Sequence, residues 1–189
     1  MRSFKERKSV LAVLVVGLGS LCSVSSEAGQ GLNVDGLLGV DWISGGTNSS
    51  SSTSSVSYGA RIGYHLTPNW ELGGSFTTTS NSVNVNANVN SSRTSLLMAD
   101  FNYHLPDGWD ALYFGVRLGL GFNSGSSNDV IAPISYSSTN LAYGVVGGYD
   151  YKVSESFTIG PRVSYTAITR DAGNMGDFQA QAAFKYFFN

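Results

Sequence analysis

The chain has 189 residues, of which 42% are hydrophobic but only 13% charged, with a net charge of −2 and 23 glycines; a soluble domain carries roughly 25% charged residues. That balance argues against a basic surface for nucleic acid, so no nucleic-acid partner is expected, and it leaves little charge to face water. The length suits one domain, and a single cysteine, Cys22, excludes a disulfide framework.

In chain order, the first element is a leader. Arg2, Lys5, Arg7 and Lys8 precede a short apolar run at 10–21 and small residues through Ser26 and Ala28, the layout of a cleaved Sec-type signal peptide over 1–28. The run is too short for a spanning helix, and cleavage after Ser26 or after Ala28 fits equally. Cys22 follows Leu21, where a lipid-attachment motif needs a small residue, so no lipid anchor is expected. The remaining domain, 29–189, holds seven basic and eleven acidic residues, a net charge of −4.

Eight segments of that domain alternate apolar with small or polar residues: 31–43, 55–66, 70–79, 93–105, 111–123, 140–151, 157–167 and 176–188. In the second, Val56, Tyr58, Ala60, Ile62, Tyr64 and Leu66 alternate with Ser57, Gly59, Arg61, Gly63 and His65; a period of two means an extended strand with unlike faces. The connections also alternate. Those at 44–54, 80–92, 124–139 and 168–175 are long and rich in Ser, Asn, Thr and Gly, whereas 67–69, 106–110 and 152–156 are tight turns. The pattern predicts an all-β fold, an eight-stranded antiparallel up-and-down transmembrane β-barrel with long loops outside and short turns in the periplasm. The row Leu112, Phe114, Val116, Leu118, Leu120 and Phe122, at roughly 3.3 Å per residue and a tilt near 40°, covers a hydrocarbon core.

Aromatic residues collect at both ends of the apolar rows. Tyr64, Trp70, Tyr103, Trp109, Tyr149, Tyr151, Phe157, Tyr186 and Phe188 fall at the periplasmic end, and Trp42, Tyr58, Phe76, Phe122, Tyr143, Tyr165 and Phe178 at the outer one; two aromatic girdles mark the bilayer interfaces. The competing fold is a secreted barrel or sandwich with its apolar rows inside. It would expose rows carrying Gly39, Gly59, Gly63, Gly115, Gly119, Gly121, Gly144, Gly148 and Gly160, and glycine suits the crowded interior of a narrow barrel better than a solvent face. Pro161, inside the seventh strand, predicts a bulge. The alternating stretch 83–90 reads equally as a hairpin extending the third and fourth strands or as a polar loop.

The inward rows carry Asp35, Asp41, Arg61, Glu71, Asp100, Arg117, Asp150, Arg162, Asp177 and Lys185, with Asn33, Asn102, Gln179 and Gln181. Unpaired charges are costly behind a low-dielectric wall. A polar lumen network is therefore expected from Asp35, Arg61, Glu71, Asp100, Arg117, Asp150, Arg162 and Lys185, with Asp100–Arg117 as its chosen pair. It would act as a plug rather than a pore, because side chains fill eight-stranded barrels.

Leader, eight strands, girdles and an aromatic end together resemble the small outer-membrane barrels of Gram-negative bacteria, the class of the outer membrane protein A barrel, OmpX and the opacity proteins. The resemblance covers 29–189. Gln181, Ala183, Tyr186 and Phe188 look like the terminal-strand signal read by the barrel-assembly machinery, with Ala183 where Gly is usual and Asn189 after the terminal Phe. It implies residence in the cell outer membrane, contact with outer-membrane lipid and lipopolysaccharide, and no peptidoglycan-binding domain. Lipid A deacylases and palmitoyltransferases share the architecture and use His with Ser and an acid. Here His65 and His104 precede short turns at the periplasmic end, and neither is followed by Ser. No catalytic residue, cofactor or metal is expected, since no close ligand spacing accompanies either histidine. The nearly uncharged loops, with Ser49–Ser52 almost pure hydroxyl and Ile131, Ile134 and Tyr136 in the third, are candidates for a host, phage or sugar ligand. The expected role is structural or adhesin-like. The alternatives are a small pore for ions or hydrophobic solutes and, behind it, lipid A modification.

Overall fold

The computed structural model describes residues 31–44, 53–85, 88–106, 111–127, 134–170 and 173–188. Nine strands follow in chain order: β1 Leu32–Ser44, β2 Thr53–His65, β3 Trp70–Val85, β4 Asn88–His104, β5 Leu112–Ser127, β6 Ile134–Tyr149, β7 Tyr151–Ser154, β8 Phe157–Ile168 and β9 Met175–Phe188. Each is antiparallel to its neighbours, and β1 pairs with both β2 and β9 while β6 pairs with both β5 and β8. The sheet thus closes on itself, and closure leaves no free edge for another chain to pair with. β6 and β7 are one wall strand interrupted at Asp150, so the barrel has eight staves.

That interruption has a local cause. The β6–β8 register ends at Gly148↔Arg162 and resumes in the same phase at Tyr151↔Ile159, which sets Tyr149 and Asp150 opposite Pro161 and Gly160. Proline has no N–H for the ladder. The bulge expected at Pro161 itself is absent: β8 keeps its phase with β9 through Pro161↔Ala182. The shift falls instead between Lys152 and Ser154.

The period of two resolves into the two faces of the wall. Among the described residues nine apolar side chains are buried against 24 polar or charged ones, while Leu118, Val116, Val145 and Phe114 are each more than half exposed, at 58%, 59%, 56% and 56%. This reverses a soluble fold and is the arrangement a lipid-embedded barrel requires. At inward glycines the wall and its contents close up: a Cβ on Gly119 would strike the Leu97 carbonyl, and one on Gly144 the Tyr165 carbonyl.

Two long connections are shorter than the alternation suggested. Strand pairing continues along β3–β4 to Val85↔Asn88, the hairpin of the two readings open for 83–90, and along β5–β6 to Ser127↔Ile134, where 124–139 had read as loop. The hydroxyl-rich β5–β6 stretch shows no apolar alternation, so its extension is hidden from a hydrophobic pattern, whereas 83–90 does alternate. The turn expected at 152–156 is likewise tighter, with strand through Ser154.

Candidate functional site

The lumen is layered. Near mid-height Asp100 receives three arginines: Arg162 Nη2 donates to Oδ2 at 2.9 Å, Arg61 Nε lies 3.3 Å from the same oxygen, and Arg117 Nε lies 3.2 Å from Oδ1. The strands bring these groups together because all four residues stand on inward rows of β2, β4, β5 and β8. Asp100 and Arg117 are register partners. Arg117 spends its other nitrogens on Ser164 Oγ and Ser75 Oγ, both at 2.9 Å, so it spans the lumen rather than pairing only with its neighbour.

Toward the periplasmic end the network continues through Glu71. Arg61 Nη1 donates to Asp35 at 3.0 Å and to Glu71 Oε1 at 2.9 Å; Asn33 Nδ2 donates to Oε1 at 2.8 Å and Asn102 Nδ2 to Oε2 at 3.4 Å. Lys185 Nζ lies 4.0 Å from Glu71 and donates to Asp150, the residue at the strand interruption. These contacts link Asp35, Arg61, Glu71, Asp100, Arg117, Asp150, Arg162 and Lys185 to one another. Arg61, Asp100, Arg162, Glu71 and Lys185 are each at most 2% exposed. The price of burying such charges is met only when each is paired and hydrogen-bonded.

Sequence spacing concealed one cluster. His65 and His104, distant in sequence, meet on Glu71: His104 Nε2 is 3.1 Å from Oε2, His65 Nε2 is 3.9 Å from Oε1, and the imidazole rings lie 5.0 Å apart. The three ligand atoms fall within 4.8 Å of one another, the size of a metal site. Glu71 is nevertheless already engaged by Arg61 and faced by Lys185. Two fixed cations on the only carboxylate disfavour a third positive charge, so the residues do not fit a metal well. No serine hydroxyl is paired with either histidine in the described hydrogen bonds.

On the lipid face Trp70 stacks on Phe101 at 4.8 Å and tilts against Tyr103 at 4.7 Å, and Tyr186 meets Phe188 edge-on at 5.1 Å. At the outer end Trp42 and Phe178 are 5.6 Å apart. Tyr58, Tyr143, Tyr151 and Tyr165 are exposed outward, Phe122 is 37% exposed, and Tyr64 is half-buried; Trp109 lies outside the described residues. Of the terminal-strand residues, Tyr186 and Phe188 face lipid while Gln181 and Ala183 face the lumen. Gln181 Nε2 donates to Ser57 Oγ at 3.3 Å.

Beyond the outer aromatic belt β3, β4, β5 and β6 form a polar four-stranded extension. Ser80, Arg93, Ser124 and Ser137 share one register row, and Ser82, Ser91, Ser126 and Ser135 the next. Ser91 and Ser126 hydroxyls are 2.9 Å apart, and Arg93 Nε donates to Thr78 Oγ1 at 3.0 Å.

Residues 11–188 match the family described as "Outer membrane protein beta-barrel domain". No curated protein matches the chain. Among solved structures, Ail, the attachment invasion locus protein of Yersinia pestis, in complex with the heparin analogue sucrose octasulfate, superposes with a TM-score of 0.64 at 15% identity, covering 83% of this chain and 99% of that one. Neisserial surface protein A gives 0.63 at 16%, covering 87% and 100%. OprG from Pseudomonas aeruginosa gives 0.53 at 12%, covering 84% and 96%.

Proposed function

Since the chain belongs to the outer membrane protein β-barrel family and resides in the outer membrane, we propose that it is a non-enzymatic surface-interaction protein whose outer β3–β6 extension meets an uncharged glycan. The observation that carries this reading is the extension itself: paired strands that continue past the membrane, with exposed Ser80, Ser91, Ser124, Ser126, Ser135 and Ser137 in two adjoining register rows. A loop ordered only by a ligand would lose entropy on binding, and a preformed ladder avoids that loss.

Charge selects the ligand class. The outer connections 44–54, 80–92, 124–139 and 168–175, together with Arg93 in the paired extension, contain two cations, Arg93 and Arg170, against Asp129 and Asp171. Ail is seen with a sulfated heparin analogue, but so little positive charge here favours neutral hydroxyl-rich sugars, recognised by hydrogen bonds rather than ion pairs. A leader over 1–28 is the route of export this reading assumes, with the terminal strand as the handle for the assembly machinery and lipopolysaccharide as the surrounding lipid.

The pore reading is disfavoured by arginines that cross the lumen at mid-height. Lipid A modification is disfavoured by both histidines standing at the periplasmic end with Glu71. Purified protein in lipid nanodiscs, tested on an array of neutral and sulfated glycans, checks the proposal. Binding to neutral glycans that persists at high salt and disappears when 81–90 is replaced by a tight turn is expected. Binding confined to sulfated glycans, or unaffected by that replacement, overturns it.

A further inference from the structure

The inner charges of the lumen balance and the outer ones do not. Asp35, Glu71, Asp100 and Asp150 each lie within 4.0 Å of a cation from the set Arg61, Arg117, Arg162 and Lys185, four acids against four bases. Asp41 and Asp177, each 0% exposed, have no ion-pair partner among the described residues. Their carboxyl groups lie against one another. Arg117 faces Asp177 only from beyond ion-pair distance and is held by Asp100, and two buried carboxylates with so little counter-charge repel strongly in a medium that screens poorly.

The oxygens around this pair are short of donors. Thr79 Oγ1 donates to Asp41 Oδ2 and Gln179 Nε2 to Asp177 Oδ2. Gln179 Oε1 and Thr166 Oγ1 have no hydrogen-bond partner, although Gln179 is 1% and Thr166 0% exposed, and Asp41 Oδ1 and Asp177 Oδ1 have none beyond the contact between the two carboxyls themselves. The strands converge them: Gln179 is the register partner of Asp41 across β1–β9, and Thr166 that of Asp177 across β8–β9. Facing inward residues in such pairs have Cβ atoms roughly 5 Å apart.

We propose that Asp41, Asp177, Gln179 and Thr166 form an enclosed site for one hard divalent cation of the calcium class. All four offer oxygen, two carry charge, and calcium accepts six to eight oxygens in adaptable geometry, with water completing the shell. A shared proton would join only the two carboxyls and leave the amide and hydroxyl oxygens unsatisfied. Above the site Ile43, the register partner of Asp177, packs against the buried cluster that includes Leu96, Ile168 and Met175. This apolar lid separates the ion from bulk water, so it loads as the barrel closes and exchanges slowly afterwards. The inference is independent of any surface ligand.

The test uses the full chain refolded from urea into lipopolysaccharide-free micelles, with calcium chloride alone or with chelator, then passed into chelator-treated buffer. Elemental analysis is expected to find one calcium per chain after refolding in calcium, and a higher unfolding temperature than after refolding in chelator, as for any ligand that binds only the folded state. Asp41→Asn with Asp177→Asn should bind on the order of 100-fold more weakly or worse, since ligand charge sets calcium affinity, and its unfolding temperature should ignore calcium. If that variant does not fold, Gln179→Leu and the wild-type stoichiometry decide. Wild-type protein that retains no calcium and unfolds at the same temperature in calcium and chelator overturns the site. So does a stabilisation reproduced by mild acid with no bound ion, the outcome of a shared proton.

Discussion

Arg162 and Asp100, 62 residues apart in the chain, meet in the middle of the barrel with Nη2 2.9 Å from Oδ2, and the same carboxylate serves Arg61 and Arg117. One acid therefore holds three buried cations in place. Asp100→Asn leaves Arg117 and Arg162 without a carboxylate while Arg61 keeps Asp35 and Glu71, and breaking a buried pair from one side costs about 3–5 kcal/mol. Urea unfolding in lipid vesicles should show that loss. Adding Arg162→Met should recover part of it, because the second change removes one of the stranded charges.

The filled lumen makes a prediction about conduction. In planar bilayers the wild-type protein should pass no steady ionic current, since side chains fill an eight-stranded interior. Arg117→Ala, which removes the guanidinium bridging Ser164, Ser75 and Asp100, should raise leak events without producing a defined open level. A stable open level in the wild type would contradict the plug.

Depth in the membrane can be read from charge tolerance. Leu118 is 58% exposed in the middle of the lipid-facing row on β5, and Leu118→Arg should cost about 2–4 kcal/mol. Val56 is 61% exposed near the outer end of β2, and Val56→Arg should cost about 0–1 kcal/mol. Equal costs at the two positions would argue against a bilayer around this wall.

Glycines on the two faces should respond oppositely to the same change. A Cβ on Gly119 would meet the Leu97 carbonyl and Met98 backbone, which cannot swing away, so Gly119→Ala should destabilise by about 1–3 kcal/mol. At Gly36 nothing lies within 4 Å, and Gly36→Ala should be neutral or stabilise by up to about 1 kcal/mol. Heat-dependent gel mobility of the two variants separates them.

Much of the wall was legible because its signal is local. Val56 to Leu66 declares its faces residue by residue, and each inward charge inherits its direction from its apolar neighbours. What lay beyond reach was relational. His65, Glu71 and His104 belong to β2, β3 and β4, and only barrel curvature gathers them. The sequence pairs Asp100 with Arg117, its register partner, whereas Arg61 and Arg162 come from strands that do not adjoin β4. The β5–β6 extension is silent in the sequence for another reason: Ser124 to Ser127 and Ser135 to Thr139 carry little contrast between faces.

The reversal of faces also governs how such a chain can change over time. Outward positions ask only for apolar bulk, since every lipid tail is an equally acceptable neighbour, and the backbone ladder that closes the wall is indifferent to side chains. Residues such as Leu118 or Val145 can therefore drift freely among apolar types. Substitutions around Asp100 must come in compensating sets. The history of the protein is accordingly written inside the barrel and in its outer rows of hydroxyls, and comparisons weighted toward those positions will separate its true kin from barrels that merely share the wall.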